Sequence, residues 1–366
     1  MDMEKRIKEL TDKASKLDRK QLLTVALVAG AFTVSILCVT ISGPKAEHGA
    51  SLQLSTNSAD TELQLKKELD KAERKFGPDS AETAGPLISL GDYYRARGQI
   101  SEAELSFKRA TRVQQDAMRP QLLSLSKGLL GLGATYTQEA RLNEAEQILQ
   151  QALAIREDNL PAASNEIGEA ENALARVYFD AGRLAEAEAL FKEALTIYEK
   201  GPGMESTEAA NVRNNLASVY FAQRKFDRAE PLMQWSVSVL SRNAANSNML
   251  ASALNNLGEL YRAESKYSLA ESQFRQAIAI YEKTSEDGSG LASACNNLAL
   301  VYHSQKRFAD AEPFYKKAIN AYANARQRPG LELKLVKDNY AEMLRASGRI
   351  AEANQMQSSA NQIAAK

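Results

Sequence analysis

The order of apolar and polar residues between positions 61 and 366 repeats itself every 41 or 42 residues. The copies start at Leu90, Leu132, Leu174, Leu216, Leu257, Leu298 and Tyr340. A period of about 20–50 residues is typical of proteins that stack one supersecondary unit many times. Within each copy the apolar residues fall into two groups at helical spacing. The pattern therefore predicts an all-α protein of about seven helical hairpins.

Two columns of small residues recur at fixed distances from these starts. A Gly or Ala directly follows every start, and an Ala stands thirteen residues after every start, from Ala103 to Ala353. Antiparallel helices approach to about 8 Å only where small side chains lie at the crossing. Large residues such as Tyr94 and Phe107 recur at fixed distances from these columns, and six of the seven Ala residues are followed by Glu. We expect the small columns to form the contact within each hairpin and the large residues to fill the remaining space.

Glycines and prolines indicate where the helices of a copy end and begin. Gly98, Gly182 and Gly348 stand between the two predicted helices of their copies. Because Gly adopts a positive φ without strain, these positions predict the turns. Pro231 and Pro313 stand close to the start of second helices, where a missing N–H is tolerated. We expect both prolines in first helical turns.

Two segments carry a family resemblance. LGELYRAESKYSLAESQFRQAIAIYEK (257–283) and LALVYHSQKRFADAEPFYKKAINAY (298–322) resemble tetratricopeptide repeats (TPRs), and the 42-residue period resembles the longer variety in kinesin light chains. The resemblance implies a right-handed α-solenoid over residues 61–366 with a capping helix at each end. It also implies protein binding in a concave groove lined by the first helices. Motor transport is not implied, because the long coiled coil of the light chains is missing.

A membrane anchor is predicted ahead of the repeats. Residues 22–41, LLTVALVAGAFTVSILCVTI, contain no charge. Twenty helical residues at 1.5 Å each span the roughly 30 Å hydrocarbon core of a bilayer. This predicts a single transmembrane helix at 21–42, a charged helix at 1–20 and a flexible linker at 43–60. A cleaved signal peptide or a buried core helix is the alternative, although the apolar part of a signal peptide is usually only about 7–15 residues long.

The charges around this run predict its orientation. Seven basic residues precede it, and only Lys45 follows it closely. Since Lys and Arg stay on the cytoplasmic side, the N-terminus is expected in the cytoplasm and the repeats outside it. The predicted location is the cell (inner) membrane, as a single-pass protein. The inner membrane of an organelle fits the same pattern.

Composition argues against nucleic-acid binding and against catalysis. Lys plus Arg and Asp plus Glu each total 46, so the chain has no excess positive charge to attract a phosphate backbone. His48, His303, Cys38 and Cys295 are its only His and Cys residues, and they show no metal-ligand or catalytic spacing. We expect His303 in the groove or on the surface and Cys295 in the core. The prediction is a protein without enzymatic activity, metal or cofactor.

A set of asparagines marks the candidate binding groove. In tetratricopeptide repeats, the residue just before the starting Leu points into the groove, and four consecutive copies here have Asn at this position. With neighbouring amides the set is Asn172, Asn214, Asn215, Asn255, Asn256, Asn296, Asn297 and Asn339. Because a carboxamide both donates and accepts, such a ladder can bind the main chain of an extended peptide. The alternative is that these amides brace neighbouring helices.

The sequence thus favours a membrane-anchored scaffold or adaptor that binds protein or peptide partners during complex assembly. The alternative is a structural protein that forms homo-oligomers through its repeats or its N-terminal segment. A role as a regulatory or enzyme subunit would require a partner that supplies the active site.

Overall fold

The structure of the chain is a computed structural model that describes residues 58–117, 121–242, 247–284, 288–323 and 330–364. Every regular element in these ranges is helical, with fifteen α-helices and one 3₁₀ turn at Ala81–Thr83. The first helix, α1, spans Ser58–Phe76. The other fourteen α-helices form seven consecutive hairpins, as the repeat pattern predicted.

Each hairpin pairs a first helix with a second helix of similar length. The first helices are α2 (Ala84–Ala96), α4 (Leu122–Gln138), α6 (Asn165–Asp180), α8 (Thr207–Ala222), α10 (Ser247–Ala263), α12 (Ser289–Ser304) and α14 (Gly330–Ala346). The second helices are α3 (Ile100–Gln115), α5 (Leu142–Asn159), α7 (Leu184–Lys200), α9 (Phe226–Leu240), α11 (Tyr267–Thr284), α13 (Phe308–Ala323) and α15 (Ile350–Ala364).

The small columns lie where the two helices of a hairpin cross. All seven Ala residues of the column from Ala103 to Ala353 are completely buried. A Cβ atom placed on Gly133 would come within 2.5 Å of Leu149 Cγ, so α4 and α5 pack at this glycine without intervening atoms. The predicted packing of small columns against large residues is therefore confirmed.

The turn inside each hairpin contains one residue in the left-handed conformation. Gly98, Gly182 and Gly348 have φ between 70° and 81°, as predicted. The equivalent positions in the other four hairpins have φ between 56° and 60° and are occupied by Ala140, Arg224, Ser265 and Lys306. The geometry of the turn therefore repeats even where glycine does not.

The expected place of the two prolines was wrong. Pro231 is the sixth residue of α9 and Pro313 the sixth residue of α13, so both lie beyond the first turn. An interior proline leaves the carbonyl four residues earlier without its helical donor. These carbonyls belong to Asp227 and Ala309, which are exposed, so water can replace the missing donor.

The two ends of the repeat array differ in polarity. At the start, Leu69 of α1 packs on a core cluster of Ala84, Leu87, Ala110 and Val113. At the other end, α15 presents polar residues to solvent, including the exposed Asn361. Both helices lie where capping helices were predicted.

The predicted segments 1–20, 21–42 and most of 43–60 lie outside the described residues. Among the residues that are described, no helix is both long and apolar enough to cross a membrane. The transmembrane helix and its orientation therefore stay predictions.

Candidate functional site

The first helices form one row of neighbouring helices. Each first helix contacts the first helix of the next repeat, whereas successive second helices in the described ranges contact each other less. The side on which neighbours approach closely is the inner side of a helical solenoid. All eight predicted asparagines lie on five helices of this row, α6, α8, α10, α12 and α14.

Six of these asparagines pair with one another between neighbouring helices. Three hydrogen bonds, each 3.0–3.1 Å long, run from an Nδ2 atom to an Oδ1 atom of the preceding repeat. They join Asn215 to Asn172, Asn297 to Asn255 and Asn339 to Asn296. The fully buried Asn297 also donates to Glu259 Oε1 at 2.6 Å. These bonds brace neighbouring helices, which is the alternative role that the sequence left open.

The remaining two asparagines break this series. By position, Asn256 on α10 should donate to Asn214 on α8. Instead, Asn214 Oδ1 and Asn256 Nδ2 are both buried without a hydrogen-bond partner. The two residues are only 3% and 6% exposed. An unmet buried donor or acceptor is unfavourable by about 1–3 kcal/mol, so this junction carries an unsatisfied acceptor and an unsatisfied donor.

The histidine and the thiol singled out by the sequence have different surroundings. His303 lies half-buried on α12, with its Nδ1 atom 3.4 Å from the hydroxyl oxygen of Tyr315. Burial lowers the pKa of His303, and the charge of Glu342 partly opposes this shift. Cys295 is completely buried, and burial raises the pKa of its thiol to about 12. Such a thiol is a core residue and a poor nucleophile, as expected.

Sequence reasoning missed a second set of contacts between repeats. Arg307, which follows the turn of the sixth hairpin, lies 3.3 Å from Glu271 on the preceding second helix. Its guanidinium also stacks 4.3 Å from the ring centre of Tyr302, whose hydroxyl donates to Glu271 at 2.7 Å. Equivalent ion pairs join Arg141 to Glu104, Arg183 to Glu146, Lys266 to Glu230 and Arg349 to Glu312. The Glu that follows six of the seven small Ala residues was the available signal for this ladder.

Two buried arginines were also missed. Arg156 on α5 is 1% exposed, donates to Ser126 Oγ at 3.2 Å and pairs with Glu169 at 2.8 Å. Arg213 on α8 pairs with Glu199 and stacks 3.7 Å from the ring centre of Trp235. Both charges stand at positions that are apolar in most other repeats, and this difference was the signal that could have revealed them. Their partners are internal, so they stabilise junctions between repeats.

Comparison with known proteins agrees with this architecture. Family models described as tetratricopeptide repeat match residues 166–242, 207–283 and 249–324, and a second model of that description matches 129–162. No curated protein sequence matches the chain.

Solved structures resemble the repeat array in fold. BtubC (BKLC) from P. vanneervenii is 21% identical over 62% of this chain and 92% of that chain, with a TM-score of 0.52. The apo form of the quorum sensor NprR from B. thuringiensis is 15% identical over 84% of this chain and 96% of that chain, with a TM-score of 0.54. A putative kinesin light chain from Podosopora anserina is 20% identical over 57% of this chain and 99% of that chain, with a TM-score of 0.45.

The family models together match slightly more than half of the chain, and the seven hairpins have the fold that these models describe. The chain therefore belongs to the tetratricopeptide-repeat proteins.

Proposed function

We propose that this chain is a membrane-anchored scaffold that binds an extended peptide segment of a partner protein along its row of first helices. Tetratricopeptide-repeat proteins are generally protein-interaction scaffolds and are typically not enzymes. The observation that carries the proposal is the buried donor of Asn256 opposite the buried acceptor of Asn214.

A peptide unit complements this pair of atoms. Both atoms are buried in the free chain, so the two side chains have to turn towards the groove to meet a ligand. The peptide C=O then accepts from Asn256 Nδ2, and a neighbouring N–H donates to Asn214 Oδ1, whatever side chains the peptide carries. Each hydrogen bond contributes about 0.5–1.5 kcal/mol net. Two such bonds supply about 1–3 kcal/mol. Micromolar affinity corresponds to about −8 kcal/mol, so most of the binding energy has to come from further contacts along the row.

The experiment compares partner recovery by the full-length protein and its Asn256→Ala variant. Asn215 and Asn297 are poor targets, because removing them also removes braces between helices. Asn143→Ala is the matched control, since Asn143 is exposed on the second helix α5. We expect proteins cross-linked to the wild type and to the control to be depleted severalfold with Asn256→Ala in quantitative mass spectrometry. Equal recovery by all three proteins would contradict peptide binding at this row.

The anchor is the second part of the proposal. The uncharged run 22–41 and the basic residues before it support a single span with the repeats outside the cytoplasm. We expect the protein to stay in the membrane fraction after carbonate extraction and a variant lacking residues 21–42 to be released. Added protease should digest the repeats of the wild type in spheroplasts. Release of the intact wild type by carbonate would contradict the anchor.

Self-association is the alternative to partner binding, and sedimentation distinguishes the two functions. Sedimentation of the detergent-solubilised full chain would give a concentration-independent monomer if the scaffold acts alone. A stable oligomer, with no partner recovered, would favour the structural alternative.

A further inference from the structure

Three side chains meet where the first helix of the fourth repeat packs between two second helices. Arg213 stands on α8, three residues before the start of its repeat, while Glu199 lies near the end of α7 and Trp235 lies on α9. The guanidinium of Arg213 pairs with Glu199 and stacks 3.7 Å from the ring centre of Trp235. The positions of these three residues therefore define one place in a repeat, which we call the junction triad.

The junction triad of the sixth repeat confirms that its positions lie close together. It consists of Cys295 on α12, Glu282 on α11 and Lys317 on α13. Lys317 pairs with Glu282, and the charges of both act on the buried Cys295 thiol. In the fourth and sixth repeats, a basic side chain of the chain itself thus neutralises the acid of the triad.

The junction triad of the third repeat contains acids alone. Its members are Glu171 on α6, Glu157 on α5 and Glu193 on α7, each 42 residues before its counterpart in the fourth repeat. Glu171 is 7% exposed, and its Oε2 atom is buried without a hydrogen-bond partner. Burial, together with the charges of Glu193 and Glu157, raises the pKa of Glu171 to about 7, so all three carboxyls face the same place.

Neither of the neighbouring buried arginines neutralises this acidic triad. Arg156, which precedes Glu157 on α5, pairs with Glu169 at 2.8 Å and donates to Ser126 Oγ at 3.2 Å. Arg213 of the next repeat pairs with Glu199. Glu157 and Glu193 are exposed, and within the described ranges they form no ion pair. A buried carboxylate with two further acids beside it is unfavourable in the free chain, and an external cation would relieve this cost.

The spacing of the three carboxyls favours a guanidinium as that cation. In the part of the chain that the structure describes, no set of His, Cys, Asp and Glu side chains is close enough together to hold a metal ion. A guanidinium is larger than a metal ion and has five N–H donors in a planar fork, so it can bond carboxylates that stand further apart. Arg213 also shows that an arginine fits this place in a repeat.

We propose that Glu157, Glu171 and Glu193 bind one arginine side chain of a partner protein, in place of the internal cation that the fourth and sixth repeats supply. This site lies between the second helices α5 and α7, outside the row of first helices, and does not rest on the proposed function. Because Glu171 Oε2 is buried in the free chain, Glu171 has to turn towards the two exposed acids when the guanidinium enters.

The test is a selection of displayed, randomised twelve-residue peptides on the full-length protein in detergent. Peptides that bind the wild type are counter-selected on Glu171→Arg, which introduces an internal cation like that of the fourth repeat. We expect the peptides lost on this variant to carry Arg at one fixed position. Calorimetry with such a peptide should show binding about 10- to 100-fold weaker for Glu171→Arg and for the double variant Glu157→Gln/Glu193→Gln.

Asp158→Asn is the matched control, because Asp158 is an exposed acid next to Glu157 on α5. It removes the same charge about 100° further round the helix and should bind the peptide like the wild type. On the ligand side, changing the fixed Arg to citrulline should weaken binding to the wild type as much as Glu171→Arg does. Changing it to Lys should give an intermediate loss, because Lys keeps the charge but not the planar fork.

The outcomes separate this site from the proposed groove. Binding that Asn256→Ala weakens and Glu171→Arg leaves unchanged would place the peptides on the row of first helices and overturn the arginine site alone. Loss of no peptide on Glu171→Arg, or peptides without a fixed Arg, would also overturn it. Displacement of the peptide by Ca²⁺ or Mg²⁺ alone at equal affinity would indicate a metal site instead. If Glu171→Arg does not fold by circular dichroism, the double variant and the peptide variants decide the question.

Discussion

Asn214 Oδ1 and Asn256 Nδ2 occupy positions that elsewhere in the row form a hydrogen bond, yet in this pair both atoms are buried and unpaired. The equivalent atoms of Asn255 and Asn297 bond at 3.1 Å. The two junctions therefore predict mutational effects of different size. Asn297→Ala leaves the Oδ1 atom of Asn255 without its donor and should lower the free energy of unfolding by about 1–3 kcal/mol. Asn256→Ala removes an unmet donor and should lower it by less than about 1 kcal/mol.

Urea denaturation of both full-length variants measures this difference, and Asn143→Ala serves as the exposed control. If Asn256→Ala were as destabilising as Asn297→Ala, Asn256 would be a structural brace, and the case for a ligand at this junction would fail.

A buried acid on α6 predicts an unusual pH dependence. Glu171 is 7% exposed, and its Oε2 atom has no hydrogen-bond partner. Burial, with smaller contributions from Glu193 and Glu157, raises its pKa to about 7 from the ordinary 4.5. Between these two pH values the folded chain binds more protons than the unfolded chain, so this residue lowers stability progressively as pH rises from 4.5 to 7. Glu171→Gln should therefore have little effect at pH 5 and stabilise by about 1–2 kcal/mol at pH 8.

Denaturation midpoints of wild type and Glu171→Gln at pH 5 and pH 8 check this sign. Asp116→Asn is the control, because it replaces an exposed carboxylate by its amide in the same way. An equal effect of Glu171→Gln at both pH values would mean that Glu171 is ionised in the folded chain throughout the range.

The hairpins were predictable because their determinants recur in every repeat. Ala103 alone would not indicate how two helices pack. Seven buried alanines at the same position of their repeats indicate one arrangement of the two helices in every hairpin. The same phase correctly assigned the asparagines to first helices. Packing positions that recur in every repeat can therefore be recognised from a single sequence.

Contacts that occur once were not predictable in this way. Asn256 and Asn297 occupy the same position of their repeats, yet one has an unpaired Nδ2 atom and the other donates twice. Spacing along the chain does not encode this difference. Glu171 and Arg156 belong to another class. Each is a charge in a column of mostly apolar residues, so the sequence could have marked both positions as unusual, although not their partners.

The ladder between repeats predicts an acid-sensitive final junction. Glu312 on α13 pairs with Arg349 and Lys316, and it accepts from the Tyr340 hydroxyl at 2.8 Å. These partners, Arg349 first, lower the pKa of Glu312 to about 2. Its folded-state pKa lies below the ordinary 4.5, so its stabilising contribution is present above pH 4.5 and is lost as pH falls towards 2. Glu312→Gln should remove about 1–3 kcal/mol at neutral pH.

Hydrogen exchange of α14 and α15 localises this effect, because repeats lose structure by units. Glu352→Gln is the matched control, since Glu352 contacts the same Arg349 but is 55% exposed. We expect faster exchange in these two helices with Glu312→Gln and little change with Glu352→Gln. Equal protection of the last hairpin in both variants would show that the ladder contributes nothing to this junction.

The hairpin turns predict a stabilising substitution. Lys306 has φ of 60° at the position where Gly182 has φ of 76°. The left-handed conformation is unfavourable by about 1–2 kcal/mol for a residue with a Cβ atom. Introducing glycine also increases the entropy of the unfolded chain, which offsets about 0.4–1 kcal/mol. Lys306→Gly should therefore raise the free energy of unfolding by about 0.5–1 kcal/mol.

The reverse change and a neighbouring change test the same cause. A Cβ atom on Gly182 would meet no atom within 4 Å, so Gly182→Ala makes the reverse change without a new steric contact. It should destabilise by about 0.5–1 kcal/mol, the left-handed cost less the gain from the less flexible unfolded chain. Gln305, with φ of −87°, has no strain to relieve, so Gln305→Gly should destabilise through unfolded-state entropy alone. Urea denaturation of the three variants should give one gain and two losses. A loss for Lys306→Gly would mean that the lysine side chain stabilises this turn by more than the left-handed backbone destabilises it.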